Sequence, residues 1–185
     1  MKLKITTISK KHIKEAHQIY NYYIKNSYSN FEEKIISYKN FHDFYKKIYL
    51  NKLPYLVALD KNKVAGIAYL NKFREKSGYR FTFEDTVYVH EEYLNKGIGT
   101  KLLKKLINIS KKNKNIKKII AVIGGIDSAG SVKIHKKNGF KKVGIFKKIG
   151  FKNGKWIDAI FMQKNIWKKQ IIIISKKHYQ NLQQV

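Results

Sequence analysis

The chain has no cysteine, one proline and two arginines among 185 residues. Each shortage excludes something. Without cysteine there is no disulfide framework and no thiolate metal site, so a packed apolar core has to hold the fold. Asp and Glu number only 12 against 40 Lys and Arg, a net charge of +28. No apolar run reaches the roughly 18 residues of a membrane-spanning helix. The stretch Met1-Lys2-Leu3-Lys4-Ile5 lacks the apolar core of a secretory signal. These absences lead to an expected soluble, cytoplasmic protein with no membrane partner.

A basic excess of this size suits a polyanion partner. Here, however, the cations are almost all lysine and run the whole length of the chain, which describes a solvated coat rather than a binding stripe. No specific nucleic-acid partner is expected. Arg74 and Arg80 stand out against that background. Arginine offers a planar fork that grips a carboxylate with two bonds, which lysine cannot copy. Two of them just before a strand suggest a carboxylate-binding site.

The stretch richest in signal runs from Glu84 to Leu106. Thr86–Val89 is β-branched and aromatic. A polar turn follows, then Gly97-Ile98-Gly99, then Leu102, Leu103 and Leu106 at helical spacing. A strand, a glycine turn and a helix start make an anion cradle, because first-turn N–H groups lack partners and glycine admits a phosphate to the backbone. A diphosphate-bearing ligand at residues 95–100 is expected. The dinucleotide fingerprint and the P-loop are both absent.

Along the chain, Lys2–Thr6 alternates like an edge strand, and Ser9 opens a helix to about Lys25. A second helix is expected from about Tyr38 to Tyr49, then a hairpin of Tyr55–Leu59 with Val64–Lys72. Tyr79–Val89 reads as the central strand and Gly97–Lys112 as the phosphate-facing helix. Ile116–Ile123 reads as a buried strand, and a helix capped by Asp127 or Ser128 follows to Asn138. Phe140–Gly150 and Lys155–Asn165 close around Asn153-Gly154. The order predicts one α/β domain over residues 1–165, a mixed, twisted sheet with helices on both faces. Residues 166–185 form a basic extension containing Ile171-Ile172-Ile173-Ile174.

Glu84 and Asp85 are adjacent on the central strand and so point to opposite faces. One can face a substrate while the other turns away. His135 lies in the helix after Gly124-Gly125.

Val87-Tyr88-Val89, then Asn95-Lys96-Gly97-Ile98-Gly99-Thr100 and Leu102-Leu103, resembles the acetyl-CoA-binding motif of the GNAT acetyltransferases. More widely, the chain from about Lys4 to Gln163 resembles the phosphinothricin and methionine sulfoximine acetyltransferases. The matches include Asn30-Phe31-Glu32, Phe73-Arg74, Tyr79-Arg80-Phe81-Thr82, Gly130-Ser131 with His135, and Gly150-Phe151-Lys152-x-Gly154-x-Trp156-x-Asp158. The resemblance implies a GNAT-like fold and acetyl transfer from acetyl-CoA, as co-substrate, to the amino group of a small amino acid or glutamate-like analogue. No metal is implied, and a homodimer is.

By position, the resemblance makes Glu84 the general base and puts His135 where many relatives have a tyrosine acid. Val87, Tyr88, Val89, Leu94, Asn95, Lys96, Gly97, Ile98, Gly99, Thr100 and Ser128 would meet the cofactor, and Phe31, Arg74, Tyr79 and Arg80 the acceptor. Two positions depart from the family pattern. Leu94 replaces an Arg or Gln, which shifts diphosphate binding to the backbone and Lys96, and Ser128 replaces an asparagine. The alternatives keep the fold and change the partner: a polyanion bound through the lysine surface, a peptide N-terminus, or a polyamine.

Overall fold

A computed structural model describes residues 3–126 and 128–167. Asp127 and the four-isoleucine run lie outside the described residues. The elements are β1 (Leu3–Thr7), α1 (Ile13–Asn26), α2 (Tyr38–Leu50), β2 (Tyr55–Asp60), β3 (Lys63–Lys72), β4 (Thr82–Val89), α3 (Ile98–Ser110), β5 (Lys118–Gly124), α4 (Ala129–Lys137), β6 (Lys141–Lys152) and β7 (Lys155–Asn165). The expected element order is observed. The strands form a seven-stranded sheet in the order β1-β2-β3-β4-β5-β7-β6. All its neighbours are antiparallel except β4 and β5.

Alternation along the strands feeds two cores. Leu56 and Ala58 of β2 face α3, together with Phe83, Ile119 and Leu106. Tyr55, Val57 and Leu59 face α1 and α2, with Ile19, Phe41 and Tyr88. A bulge opposite Ala58/Leu59 shifts the register of β3, which keeps Val64 and Ile67 on one face although they are three residues apart. The helices therefore cover both faces of the sheet.

Two features of β4 create the site. It pairs with β3 over seven residues, from Phe83 to Val89. On its other edge it pairs with β5 only at Thr82, Phe83 and Glu84. Beyond Glu84 the two parallel strands separate, and the β4 backbone loses its strand partner on that side.

The central strand is shorter than the sequence suggests. The last β3–β4 pair joins Lys72 to Phe83, so the chain must reverse between them. Ser77–Tyr79 does so as a 3-10 turn, with Tyr79 N–H on Lys76 O at 2.9 Å. Tyr79 and Arg80 therefore belong to a loop.

Candidate active site

The gap between β4 and β5 opens into a cavity of roughly 970 Å³. Its lining includes Glu84, Val87, Tyr88, Val89, Leu94, Asn95, Gly97, Ile98, Gly99, Thr100, Phe31 and His135. Residues far apart in the chain, from Phe31 to His135, thus share one space.

The helix end of the cavity is built from backbone. Gly97 has φ +75°, a left-handed conformation that glycine adopts without strain, and a side chain there would point into open space. Asn95 is also left-handed, at φ 60°. The first intrahelical bond runs from Lys101 N–H to Gly97 O at 3.2 Å. The N–H groups of Ile98, Gly99 and Thr100 precede it and have no carbonyl one turn back. They form the positive end of α3, and the open space above Gly97 fits a diphosphate there.

The edge of β4 supplies more backbone. Tyr23 Oη donates to Val89 O at 2.8 Å and accepts from Val89 N–H at 3.3 Å. Val89 therefore directs its polar groups away from β3, and strand alternation makes Val87 do the same. Tyr23 already engages those of Val89, whereas Val87 lines the cavity and its groups can pair with an extended amide-bearing arm.

Lys96, expected at the diphosphate turn, is not among the cavity-lining residues. Its Nζ donates to Glu92 O at 2.7 Å and sits 5.1 Å from the centre of the Tyr93 ring. The 3-10 turn Glu91–Tyr93 places an unpaired carbonyl within its reach, and the ammonium folds back onto it. Lys133 and Lys137, four residues apart on α4, line the cavity instead. That i, i+4 spacing is the signal that could have found them. Ser128 does not cap α4 with its side chain. Its Oγ donates to Gly125 O at 3.2 Å, and it is not among the cavity-lining residues.

Glu84 and Asp85 point to opposite faces of β4, as strand geometry requires. Burial pushes the Glu84 carboxyl up to about 7, the charge of Asp85 adds to the rise, and Arg74 opposes it in part. Its surroundings are aromatic. Tyr23 stacks on Tyr88 at 4.2 Å, Tyr20 lies edge-on to Tyr88 at 6.0 Å, and Phe44 lies edge-on to Tyr69 at 5.3 Å. Tyr20, Tyr23, Phe44 and Tyr69 all line the cavity. A carboxyl poised near neutrality beside an opening is suited to accepting a proton at physiological pH.

Asp85 is buried and bonded. Its Oδ2 lies 2.9 Å from His135 Nε2, while His135 Nδ1 lies 2.7 Å from Ser131 O. A carbonyl can only accept, so Nδ1 carries a proton. Burial disfavours the imidazolium, but the Asp85 charge and hydrogen bond, with the Ser131 carbonyl, outweigh it and raise the His135 pKa. Both ring nitrogens are engaged, so His135 can give a proton to a leaving group only by breaking one of these bonds. The Asp85 partnership, across 50 residues, was not legible in the sequence.

Of the acceptor residues, Phe31 lines the cavity, whereas Arg74, Tyr79 and Arg80 do not. The loop before β4 turns the two guanidinium groups onto their own neighbours. Arg74 Cζ lies 5.2 Å from the Phe73 ring centre and Arg80 Cζ 4.6 Å from that of Phe81, with Arg80 Nη1 donating to Ser77 O at 3.2 Å. Among the described residues no cluster of three or more His, Cys, Asp or Glu side chains could hold a metal ion.

Known proteins resemble this chain in sequence and in fold. The family of acetyltransferase (GNAT) domains matches residues 5–161. The phosphinothricin N-acetyltransferase of Alcaligenes faecalis is 34% identical over 146 residues, 79% of this chain and 74% of that protein. The L-methionine sulfoximine/L-methionine sulfone acetyltransferase of Salmonella typhimurium is 31% identical, over 79% of this chain and 84% of its own. Among solved structures, the phosphinothricin acetyltransferase of Sinorhizobium meliloti in complex with acetyl-CoA superposes with a TM-score of 0.85 at 31% identity, covering 95% of this chain and 97% of that one. These matches show the family: the chain belongs to the GNAT superfamily of acetyl-CoA-dependent N-acetyltransferases.

Proposed function

We propose that the protein acetylates the α-amino group of a small amino acid or a glutamate-like analogue, with Glu84 as the base. One observation carries this: a part-buried carboxyl with a pKa near 7 stands where β4 and β5 part, in the same cavity as the free N-terminus of α3. The names of the relatives, phosphinothricin and methionine sulfoximine acetyltransferases, support the acceptor class.

Acetyl-CoA would supply an activated acyl carbon and a thiolate leaving group. The N–H groups of Ile98, Gly99 and Thr100, with Lys133 and Lys137, would hold its phosphates, and the edge of β4 its amide arm. Glu84 takes one proton from the acceptor ammonium, directly or through one water. The freed amine attacks the thioester carbonyl, the N–C bond forms and the C–S bond breaks. The second nitrogen proton goes to the departing sulfur. With a thiol pKa of about 8.5 the sulfur can leave as thiolate before that proton arrives, so no acid residue is required. His135, paired with Asp85, then acts as a positioning residue that pins α4 to β4 beside the cofactor. Phe31 and the tyrosines wall the acceptor, and Arg74, whose charge reaches Glu84, attracts its carboxylate.

A thiol-release assay with acetyl-CoA and a panel of amino acids, their analogues, polyamines and peptide N-termini tests this. Amino acids with a free α-amine and carboxylate are the expected acceptors, with little dependence on salt, whereas polyanion binding would fall steeply with salt. Equal turnover of amines lacking a carboxylate removes the role of Arg74.

The same proposal includes a homodimer. Val143, Phe146, Ile149 and Trp156 of the β6–β7 hairpin are each more than half exposed, which supports a covered surface there. Light scattering on the eluting protein is expected to give twice the mass of the 21.8 kDa chain.

A further inference from the structure

The β6–β7 hairpin plays no part in the chemistry above, yet it carries a fully buried lysine. Lys152 is 0% exposed. Among the described residues no carboxylate is bonded to it. Its Nζ donates to Ser27 O at 2.8 Å and Asn30 O at 2.6 Å. Burial lowers the pKa of the ammonium, and the more distant charges of Glu33 and Glu32 oppose the fall. A buried cation held only by neutral carbonyls is unfavourable unless those bonds are well made, so its retention asks for a reason.

The two carbonyls belong to the turn between α1 and α2. Ser27, Ser29, Asn30, Phe31 and Glu32 of that turn all line the cavity. Three features from distant parts of the chain seat it. A Cβ at Gly124 would overlap the carbonyl of Tyr28, and one at Gly150 would overlap the ring of Phe31. Lys152, two residues beyond Gly150, then ties both ends of the turn. Within it, Asn30 Oδ1 accepts from Glu32 N–H at 2.9 Å. The glycines set how closely the turn approaches, and the lysine sets its curvature.

We propose that Lys152 is a positioning residue for acceptor recognition, acting through Ser27 and Asn30 to hold Phe31 against the acceptor. This rests on the reading that Phe31 and its neighbours wall the acceptor end of the cavity. Lys152 touches no reactant, and with no exposed surface it is neither nucleophile nor base. Losing its ammonium takes the donor from a buried carbonyl at Asn30 and a part-buried one at Ser27 and frees the turn to shift. A displacement of about 1 Å in a positioning element can cost on the order of 100-fold in turnover efficiency.

Steady-state kinetics of Lys152→Met in the full chain test this. The expected result is an acceptor KM raised at least about 10-fold, with acetyl-CoA affinity by calorimetry within about twofold of wild type. Amide hydrogen exchange should quicken over residues 27–32 while α3 stays protected. Lys152→Arg, which restores the donors, should bring KM back toward wild type. Gly150→Ala presses on Phe31 from the same strand and leaves Lys152 in place, so it reads the same turn if Lys152→Met does not fold, and it too should raise the acceptor KM. An acceptor KM unchanged in folded Lys152→Met overturns the proposal, as does an equal loss of acetyl-CoA affinity. If Lys152→Met does not fold, an unchanged KM in Gly150→Ala overturns it. Should the wild-type acceptor prove to be a peptide N-terminus or a polyamine, the amino-acid reading fails while the KM of that acceptor still decides the role of Lys152.

Discussion

Glu84 and Asp85 share one strand and one side-chain chemistry, yet the two faces of β4 treat them oppositely. Glu84 looks toward tyrosine rings and the opening between β4 and β5, and its carboxyl is held near neutrality by burial. Asp85 looks toward α4 and meets His135 at 2.9 Å. The strand's period of two separates a proton acceptor from a structural ion pair without any insertion or turn. Asp85 has a basic group in direct contact, whereas Glu84 has only the more distant Arg74 charge and so is costly to ionise.

The largest expected effect comes from removing the basicity of Glu84. Glu84→Gln keeps shape and burial and should lower kcat by roughly 10²–10⁴, with acetyl-CoA binding little changed. In the wild type, kcat/KM should fall about tenfold per unit below pH 7, because protonated Glu84 cannot accept the ammonium proton. His135→Ala should cost less in kcat than Glu84→Gln. A Glu84→Gln enzyme with near-normal kcat from pH 6 to 9, beside an inactive His135→Ala, would reverse the two roles.

Asp85→Asn breaks the comparison from the other face. It leaves His135 buried without its counter-charge, and removing one partner of a buried pair costs about 3–5 kcal/mol. Urea unfolding should show that loss. The same change removes a charge that raises the Glu84 pKa, so the acid limb of kcat/KM should move below pH 7. A stable Asp85→Asn protein with an unmoved limb would mean that the two carboxylates are independent.

What could be read in advance divides along the same line. The element order, the glycine turn and the opposed carboxylates are local: they follow from alternation, helical spacing and the φ that Gly97 needs. The resemblance added residue roles, but not where each side chain goes. The Asp85–His135 pair and the bond from Lys152 to Asn30 join residues 50 and 122 positions apart, which no local pattern encodes. Tyr79–Phe81 is aromatic enough to read as strand, but the reversal from β3 requires a turn there, so β4 starts later. Leu94 shifts the expected diphosphate contact to Lys96, and only the fold shows that the Lys96 ammonium bonds the carbonyl four residues back.

Gly97→Val tests the backbone cradle. A β-branched residue at φ +75° is strained by roughly 1–2 kcal/mol, and its side chain would occupy the open space above the turn. Acetyl-CoA affinity by calorimetry should drop about tenfold or more, with the Glu84 pH profile unchanged. Lys96→Ala, by contrast, should alter affinity little, since that ammonium already bonds Glu92.

The smallest effect is the most direct measure of what an unpartnered acid costs. The folded-state pKa of Glu84, about 7, lies above its ordinary 4.5. Folding therefore favours the protonated form. That contribution to stability is fully present below about pH 4.5 and is lost as pH rises through 7. Above pH 7 the wild type carries a part-buried carboxylate that the unfolded chain would solvate, and Glu84→Gln does not. The variant should melt at about the wild-type temperature near pH 4.5 and above it at pH 8. The full shift would correspond to about 3 kcal/mol at 1.36 kcal/mol per unit, which solvent screening at the open cavity reduces to about 1 kcal/mol. For a chain of this length that is about 2–4 °C in Tm. An equal Tm difference at both pH values would trace the gain to packing rather than to charge, and Glu84 would lose its standing as the strained acid of the pair.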